Sequence, residues 1–242
     1  MDLAQAASFL RAGGAMVFPT ETFYGLGCLA AHAQAVARVY QLKRRPVHKP
    51  LPLLAAHAAQ VDEVAHLAAM PTGLAAFWPG PLTVLLPARA CLPQALVNAE
   101  GLVAVRVTPH PLAAQLAVEA GGALTASSAN LSGGEAVRSP QLLDPALLEA
   151  LQAMAGHILP AASGHEHIKN SQDAEAPMPP IMPVLLGGPL PAGGLPSTVV
   201  EPLSRGAGGP GYGFGGGAGR LRLVRAGAVS AAELVAAGFS VE

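Results

Sequence analysis

The chain has 242 residues, of which 51% are hydrophobic and only 12% are charged, and its formal net charge is −1. Such a length can form the core of one large α/β domain or two small ones. The near-neutral charge excludes a protein whose whole surface attracts nucleic acid, so any basic site must be local. Prolines interrupt the longest apolar stretches, which leaves no window of about 20 residues able to span a bilayer. The composition therefore predicts a soluble, alanine-rich protein.

The N-terminal half alternates between helical and extended patterns. Apolar spacing predicts a helix over 3–12, and the next apolar run predicts a buried strand that ends at Pro19. The remaining predicted helices cover 31–45, 58–68, 111–121 and a short stretch before Trp78, and the strands cover 51–56, 82–88, 102–107 and 123–130. Strands mixed with crossover helices indicate an α/β domain with a twisted, partly parallel sheet.

The C-terminal part differs in composition. After a predicted helix over 145–154, a polar, proline-rich segment near 163–183 and a glycine-rich segment near 204–219 predict low-complexity insertions. Strand-like pieces border them at 183–188, 197–202 and 220–227, and a last helix over 230–237 follows, with Ser230 as its cap. We therefore predict one domain over 1–242 that carries two insertions. Because His165 and His167 lie in the first insertion, we predict no metal site there.

Two sequence features point to the cytoplasm. The N-terminus lacks a basic leader followed by an apolar segment, so no secretory signal is predicted. The two cysteines, Cys28 and Cys91, form neither a CxxC pair nor a zinc-binding spacing. Both features predict a protein of a reducing, cytoplasmic environment without a membrane segment.

The first candidate site is the stretch FPTETFYGLGC at 18–28. Polar side chains follow the end of a predicted strand, where ligands of α/β proteins commonly bind. Glycines come next, and they permit close approach of the backbone to a ligand. An ordinary strand-to-helix turn would have the same composition, so both interpretations stay open.

The second candidate is the basic turn KRRPVHKP at 43–50. The chain has three lysines, and two of them, Lys43 and Lys49, lie here together with Arg44 and Arg45. Lysine and arginine suit phosphate and carboxylate groups. A helix C-terminus also favours cations, but this explains only one or two of the four and not Lys49, which lies beyond a proline. An anion-binding loop is the favoured interpretation.

Two further stretches carry polar groups in apolar surroundings. Arg106 lies inside the strand pattern VAVRV, where an arginine most often points to solvent. TASSANLSG at 125–133 supplies hydroxyl and amide groups that could hold phosphate or carboxylate oxygens. Hydroxyl-rich turns are equally common, so this stretch has two open interpretations.

In their order along the chain, PTETFYGLG, KRRPVHKPL, WPGPLT, VAVRVTPHPLA and TASSANLSG resemble the YrdC/TsaC threonylcarbamoyl-AMP synthases. The later stretches GGLPSTVVE and LVRAGAVS are similar to segments of the longer members. The resemblance covers about 14–140 well and about 184–232 more loosely. It implies a single YrdC-like α/β domain with a twisted mixed parallel and antiparallel sheet, flanking helices and a large concave basic cavity.

The resemblance also implies an activity. Members of this family make L-threonylcarbamoyladenylate from L-threonine, bicarbonate or CO2, and ATP, with release of pyrophosphate, for the t6A37 modification of tRNA. Mg2+ is implied together with ATP, without a tightly bound cofactor. Direct contact with tRNA and with tRNA-modification proteins stays open. Two alternatives are a non-catalytic RNA-binding module and a carbamoyl-transfer module related to hydrogenase maturation.

The resemblance assigns roles to individual residues. The basic triplet, implied to be catalytic and to contact ATP phosphates and the carbamate, is Lys43, Arg45 and Lys49. The implied threonine-binding set is Thr20, Thr22, Tyr24, Arg106, Thr125, Ser127 and Ser197. The implied further ATP contacts are Asn130, Ser139 and Arg225. Arg44 is assigned to the helix end, and Glu201 replaces the aspartate of the family's STVVD stretch, so no role is claimed for it.

Overall fold

The structure is a computed structural model that describes residues 1–158, 183–203 and 219–242. Both predicted insertions fall almost entirely on the other residues, as do His165 and His167. Those predictions therefore lie outside the described residues.

Six α-helices occur in the described residues, and each predicted helix is present. Their bounds are α1 Leu3–Arg11, α2 Ala33–Lys43, α3 Ala58–Val64, α4 Pro111–Ala120, α5 Pro145–Ile158 and α6 Ala231–Ala236. Capping boxes begin α1 and α6 and use the side chains of Asp2 and Ser230, of which only Ser230 was predicted. The short helix before Trp78 is a 3-10 helix over Thr72–Phe77. Within the described ranges, no helix has both the length and the apolar character needed to cross a membrane.

The strands of the described residues form two sheets. Their bounds are β1 Met16–Pro19, β2 Tyr24–Gly27, β3 Leu53–Ala55, β4 Leu82–Pro87, β5 Leu102–Val107, β6 Leu124–Thr125, β7 Ser127–Ser128, β8 Thr198–Leu203, β9 Arg220–Arg225 and β10 Ser240–Val241. The large sheet has the order β10-β9-β8-β4-β5-β3-β6, and the small sheet has the order β1-β2-β7. In the large sheet, β3 runs parallel to β5 and β4 to β8, whereas β4 and β5 are antiparallel. The predicted mixed α/β fold is confirmed.

Three local predictions differ from the structure. No strand was predicted over Tyr24–Gly27, where a strand-to-helix turn was one open interpretation, but this stretch is β2 and forms an antiparallel hairpin with β1. The predicted strand over 123–130 divides at Ala126 into β6 of the large sheet and β7 of the small sheet. The predicted strand over 183–188 is reduced to an isolated bridge from Val184 to Val17. In each case pairing across the fold decides the outcome, because a local pattern does not specify a strand's partner.

The buried side chains form two clusters that hold these sheets together. The larger cluster joins residues of both sheets, among them Val17, Leu26 and Val105. The smaller one packs α1 and α4 against the other face of β1, with Phe9 and Phe18 fully buried. The β1–β2 hairpin is therefore packed on both faces, and its end is fixed relative to β5.

Gly27 provides a test of how tightly the two sheets are joined. A Cβ atom at this position would lie 1.6 Å from the carbonyl oxygen of Thr125. We expect Gly27→Ala to lower the free energy of unfolding by at least about 2 kcal/mol, because overpacking against backbone forces the strands apart. Gly122→Ala is the matched control, since its Cβ would meet only a side-chain atom of Leu29 at 3.7 Å, and its effect should stay below about 1 kcal/mol. Equal urea midpoints for the two variants would contradict this account.

Candidate active site

A cleft opens where the β1–β2 hairpin, the end of β5, β7 and the segment before β8 meet. Its empty space is about 650 Å³, part of it open to solvent. Eight predicted site residues line it: Thr20, Thr22, Tyr24, Arg45, Arg106, Ser127, Ser197 and Arg225. The fold therefore brings together at one place the motifs that the sequence distributes over most of its length.

Three arginines give the cleft its charge. Arg106 is buried on β5, in contrast to the solvent-facing arrangement that strand arginines usually adopt. Arg225, at the end of β9, donates from Nη2 to the carbonyl oxygen of Ser197 at 2.7 Å and to its hydroxyl oxygen at 3.0 Å. Partial burial is the main reason why the pKa of Arg225 lies below its ordinary value. The positive charges of Arg106 and Arg45 lower this pKa further. Since the three guanidinium groups repel one another across this space, an anionic ligand would relieve the repulsion.

The basic turn holds Arg45 in place through the backbone. Arg45 Nε donates to the carbonyl oxygen of Lys49 at 2.7 Å, and its Nη2 donates to that of Pro50 at 3.1 Å. Burial lowers the pKa of Arg45. Arg44, in contrast, ends α2 in a left-handed conformation with φ of 49° and is exposed. Arg45 therefore lines the cleft, whereas its neighbour Arg44 does not.

Glu21 is a residue of this site to which the sequence analysis gave no role. Its Oε1 accepts a hydrogen bond from Arg106 Nε at 2.8 Å, and its Oε2 accepts one from the hydroxyl of Thr108 at 2.8 Å. The ion pair is enclosed, with 5% of the Arg106 side chain and 11% of the Glu21 side chain exposed. A buried arginine requires such a partner, and the acid between Thr20 and Thr22 was the sequence signal for it.

Lys43 has an unexpected position. It does not line the cleft but is buried at the end of α2, where its Nζ donates to the carbonyl oxygens of Ser128 and Asn130 at 2.5 and 2.6 Å. Burial, and to a smaller degree the charge of Arg45, lowers its pKa to about 8. Lys43 therefore connects α2 to the loop after β7, while its assigned contact with phosphate stays a prediction.

The other predicted contacts outside the cleft lining are Lys49, Thr125, Asn130 and Ser139. Lys49 is exposed on the basic turn. The hydroxyl of Thr125 accepts a hydrogen bond from the backbone N–H of Cys28 at 3.0 Å, and the amide of Asn130 donates to the carbonyl oxygen of Leu131 at 2.8 Å. The hydroxyl of Ser139 donates to Gln141. Their ligand contacts stay predictions. Across the described ranges, no group of three or more His, Cys, Asp or Glu side chains could hold a metal ion.

A two-sheet α/β fold with an arginine-lined cleft at the sheet junction is typical of proteins whose ligands are anionic. The family model for Sua5, YciO and YrdC, described as "Telomere recombination", matches residues 8–162. This chain belongs to that family, and the resemblance seen in its motifs is confirmed.

Curated relatives carry one shared name. The chain is 39% identical over 158 residues to the threonylcarbamoyl-AMP synthase of Stenotrophomonas maltophilia, with 64% of this chain and 85% of that protein covered. It is 45% identical over 140 residues to the threonylcarbamoyl-AMP synthase of Methylococcus capsulatus, which covers 57% of this chain and 75% of that protein.

A solved structure of P. abyssi Sua5 complexed with L-threonine is also similar. Its TM-score is 0.69 at 26% sequence identity, and the match covers 99% of this chain and 58% of that chain. This chain therefore spans less than two thirds of the length of the P. abyssi protein.

The lowered pKa of Lys43 predicts a pH dependence of stability. Its value of about 8 in the folded protein lies below the ordinary 10.5, so between these two pH values the unfolded chain binds more protons and stability rises with pH. We expect the difference in unfolding free energy between the wild type and Lys43→Met to be constant below pH 8 and to increase in favour of the wild type from about pH 8 towards 10.5. Denaturant titrations across this range measure it. A difference that does not change with pH would show that Lys43 keeps an ordinary pKa.

Proposed function

We propose that this protein is a threonylcarbamoyl-AMP synthase, which makes L-threonylcarbamoyladenylate and pyrophosphate from L-threonine, bicarbonate or CO2, and ATP. The observation that carries the proposal is the convergence of Arg45, Arg106 and Arg225 on one hydroxyl-lined cleft. Its substrates carry a carboxylate, a carbamate and a triphosphate, so the cleft has the charge that they require. The shared name of the curated relatives supports the same assignment.

Threonine is proposed to bind at the Arg106 end of the cleft. The terminal nitrogens of Arg106 have no hydrogen-bond partner among the described residues. They can therefore donate two hydrogen bonds to a carboxylate. The hydroxyls of Thr20 and Thr22 line the same wall, 3.4 Å apart, and can contact the polar groups of an amino acid. The complex of P. abyssi Sua5 with L-threonine supports an amino-acid site in this fold.

ATP is proposed to place its phosphates towards Arg45 and Arg225, which leaves the nucleoside near the loop that follows β7. Mg2+ is proposed to enter with the phosphates, whose oxygens it prefers as ligands, and it would neutralise part of their charge. Ser139 and Asn130 belong to this side of the proposed site. The side chains of this chain would bind and orient the nucleotide.

The proposed reaction has two steps. The ammonium group of threonine releases two protons to solvent as its nitrogen bonds to the carbon of CO2, which gives a carbamate. One carbamate oxygen then attacks the α-phosphorus of ATP, and the bond to pyrophosphate breaks with its electrons leaving on pyrophosphate. Arg45 and Arg225 would stabilise the charge that develops on the phosphates, and fixed orientation of the two reactants lowers the barrier further. No side chain becomes bonded to substrate.

The product is proposed to feed the t6A modification of tRNA in the cytoplasm through further modification proteins. The burial of Arg106 and its pairing with Glu21 favour a small anionic ligand over an RNA backbone spread across the surface. The carbamoyl-transfer alternative predicts turnover that is independent of threonine.

Pyrophosphate release tests the proposal directly. We expect release only when ATP, L-threonine and bicarbonate are present together, because the attacking carbamate forms from the last two. The adenylate should be detected by mass spectrometry in the same mixture. Pyrophosphate release without threonine would rule out the proposed reaction, and salt-sensitive RNA binding without turnover would favour the RNA-binding alternative.

Arg45 and Arg44 form a matched pair for mutagenesis. We expect Arg45→Ala to lower kcat by about 100-fold or more, since it removes a fixed cation from the developing charge. Its loss of two backbone hydrogen bonds should cost no more than about 2 kcal/mol of stability. Arg44→Ala removes the same charge one residue earlier, outside the cleft, and should keep kcat within about twofold. Equal losses in both variants would mean that only the net charge of the turn matters.

A further inference from the structure

We propose that Glu21 and Thr108 are positioning residues that aim the guanidinium of Arg106 at the carboxylate of the amino-acid substrate. The proposal rests on the proposed function and adds to it the residues that set selectivity for a carboxylate. Neither residue belongs to the set that the motifs assign to substrate binding.

The strand geometry places the two partners of Glu21 on one face. Side chains two residues apart on an extended chain point to the same side, so Arg106 and Thr108 both meet the carboxylate of Glu21. Each of its oxygens has one of them at 2.8 Å. Glu21 is thus held at both oxygens, and its plane is fixed relative to β5.

The backbone around Glu21 is anchored as well. The N–H of Ala192 donates to the carbonyl oxygen of Glu21 at 3.3 Å, and the N–H of Gly193 donates to that of Thr22 at 2.8 Å. The hydroxyl of Thr20 donates to the carbonyl oxygen of Phe23 at 2.6 Å. The carboxylate therefore projects from a segment with little freedom to move.

The direction of the Thr108 hydrogen bond is also fixed. Its hydroxyl oxygen accepts from the backbone N–H of His110 at 3.1 Å, so its proton is directed to Glu21. His110 itself is buried and caps α4, where its Nδ1 accepts from Ala113. Hydrogen bonds thus link the start of α4 through Thr108 to Glu21, whose carboxylate accepts from both Thr108 and Arg106.

This network uses only one edge of the Arg106 guanidinium. Nε binds Glu21, whereas Nη1 and Nη2 have no hydrogen-bond partner among the described residues. A carboxylate matches two parallel N–H groups of a guanidinium and gains most when their direction is preset. The contact with Glu21 resists the turning of Arg106 away from Arg45 and Arg225, which repel it.

Glu21 could act only through its negative charge, or it could orient Arg106. These two roles predict opposite effects of removing Glu21 on the binding of a carboxylate. Glu21→Gln leaves the cleft more positive, so charge alone predicts tighter binding of every anion. If Glu21 instead orients Arg106, the same change weakens binding of a carboxylate while ATP, held by Arg45 and Arg225, binds as well as before or better. The sign of the change in threonine affinity therefore distinguishes the two.

The experiment compares L-threonine with L-threoninol, which has a hydroxymethyl group in place of the carboxylate. Calorimetry gives the dissociation constants of both, and of ATP, for the wild type, Glu21→Gln, Thr108→Val and Thr108→Ser. Glu149→Gln, on the exposed side of α5, makes the same charge change away from the cleft. We expect the wild type to prefer L-threonine by at least about tenfold, as a charged hydrogen bond provides.

In Glu21→Gln we expect this preference to fall about tenfold, with ATP affinity kept. Thr108→Val should lower it about threefold, and Thr108→Ser and Glu149→Gln should leave it as in the wild type. Tighter binding of L-threonine by Glu21→Gln, or an unchanged preference, would overturn the proposal. If Glu21→Gln does not fold, the two Thr108 variants provide the test. An equal preference for L-threonine over L-threoninol in Thr108→Val and Thr108→Ser would then overturn the proposal. A wild type that does not bind L-threonine at all would instead reject the proposed function.

Discussion

The passage of the chain from one sheet to the other at Ala126 determines the rest of the site. Thr125 pairs within the large sheet and Ser127 within the small one, and the N–H of Ala126 donates to the carbonyl oxygen of Pro52 at 2.8 Å. This single-residue junction brings the β1–β2 hairpin over the ends of the central strands. The hydroxyls of the hairpin consequently face Arg106 on β5, and the cleft exists because the two sheets meet there.

The sequence predicts one part of this arrangement well and another part poorly. Arg106 and Arg225 could be predicted because they lie in ordered motifs, and helices such as α1 and α4 because apolar residues repeat along them. β2 was missed since its partner, not its glycine-rich composition, makes it a strand. The bond between Glu21 and Arg106 joins residues 85 positions apart, and no local spacing specifies such a contact. No local spacing specifies the burial of Lys43 either, because its hydrogen bonds go to the distant carbonyl oxygens of Ser128 and Asn130.

The cleft needs few charged side chains because its enclosed surroundings strengthen the electrostatic interactions that they make. Arg106 and Glu21 lie in an enclosed place where charges interact more strongly than in water. One carboxylate among three guanidinium groups leaves the cleft positive while it fixes the direction of one of them. Arginine suits this role better than lysine, because its planar group can bind Glu21 at one edge and a ligand at another. The basic turn shows the complementary case, in which the backbone carbonyls of Lys49 and Pro50 hold Arg45.

The packing between the two sheets has a consequence for evolution. Because Thr20 and Thr22 follow a strand of one sheet and Arg106 lies on a strand of the other, the distance between them is set by fully buried core side chains such as Leu26 and Val105. A displacement of about 1 Å between bound groups can cost a large factor in rate. Substitutions in this core that preserve stability can therefore still alter turnover, so the interior evolves under a constraint on position as well as on volume.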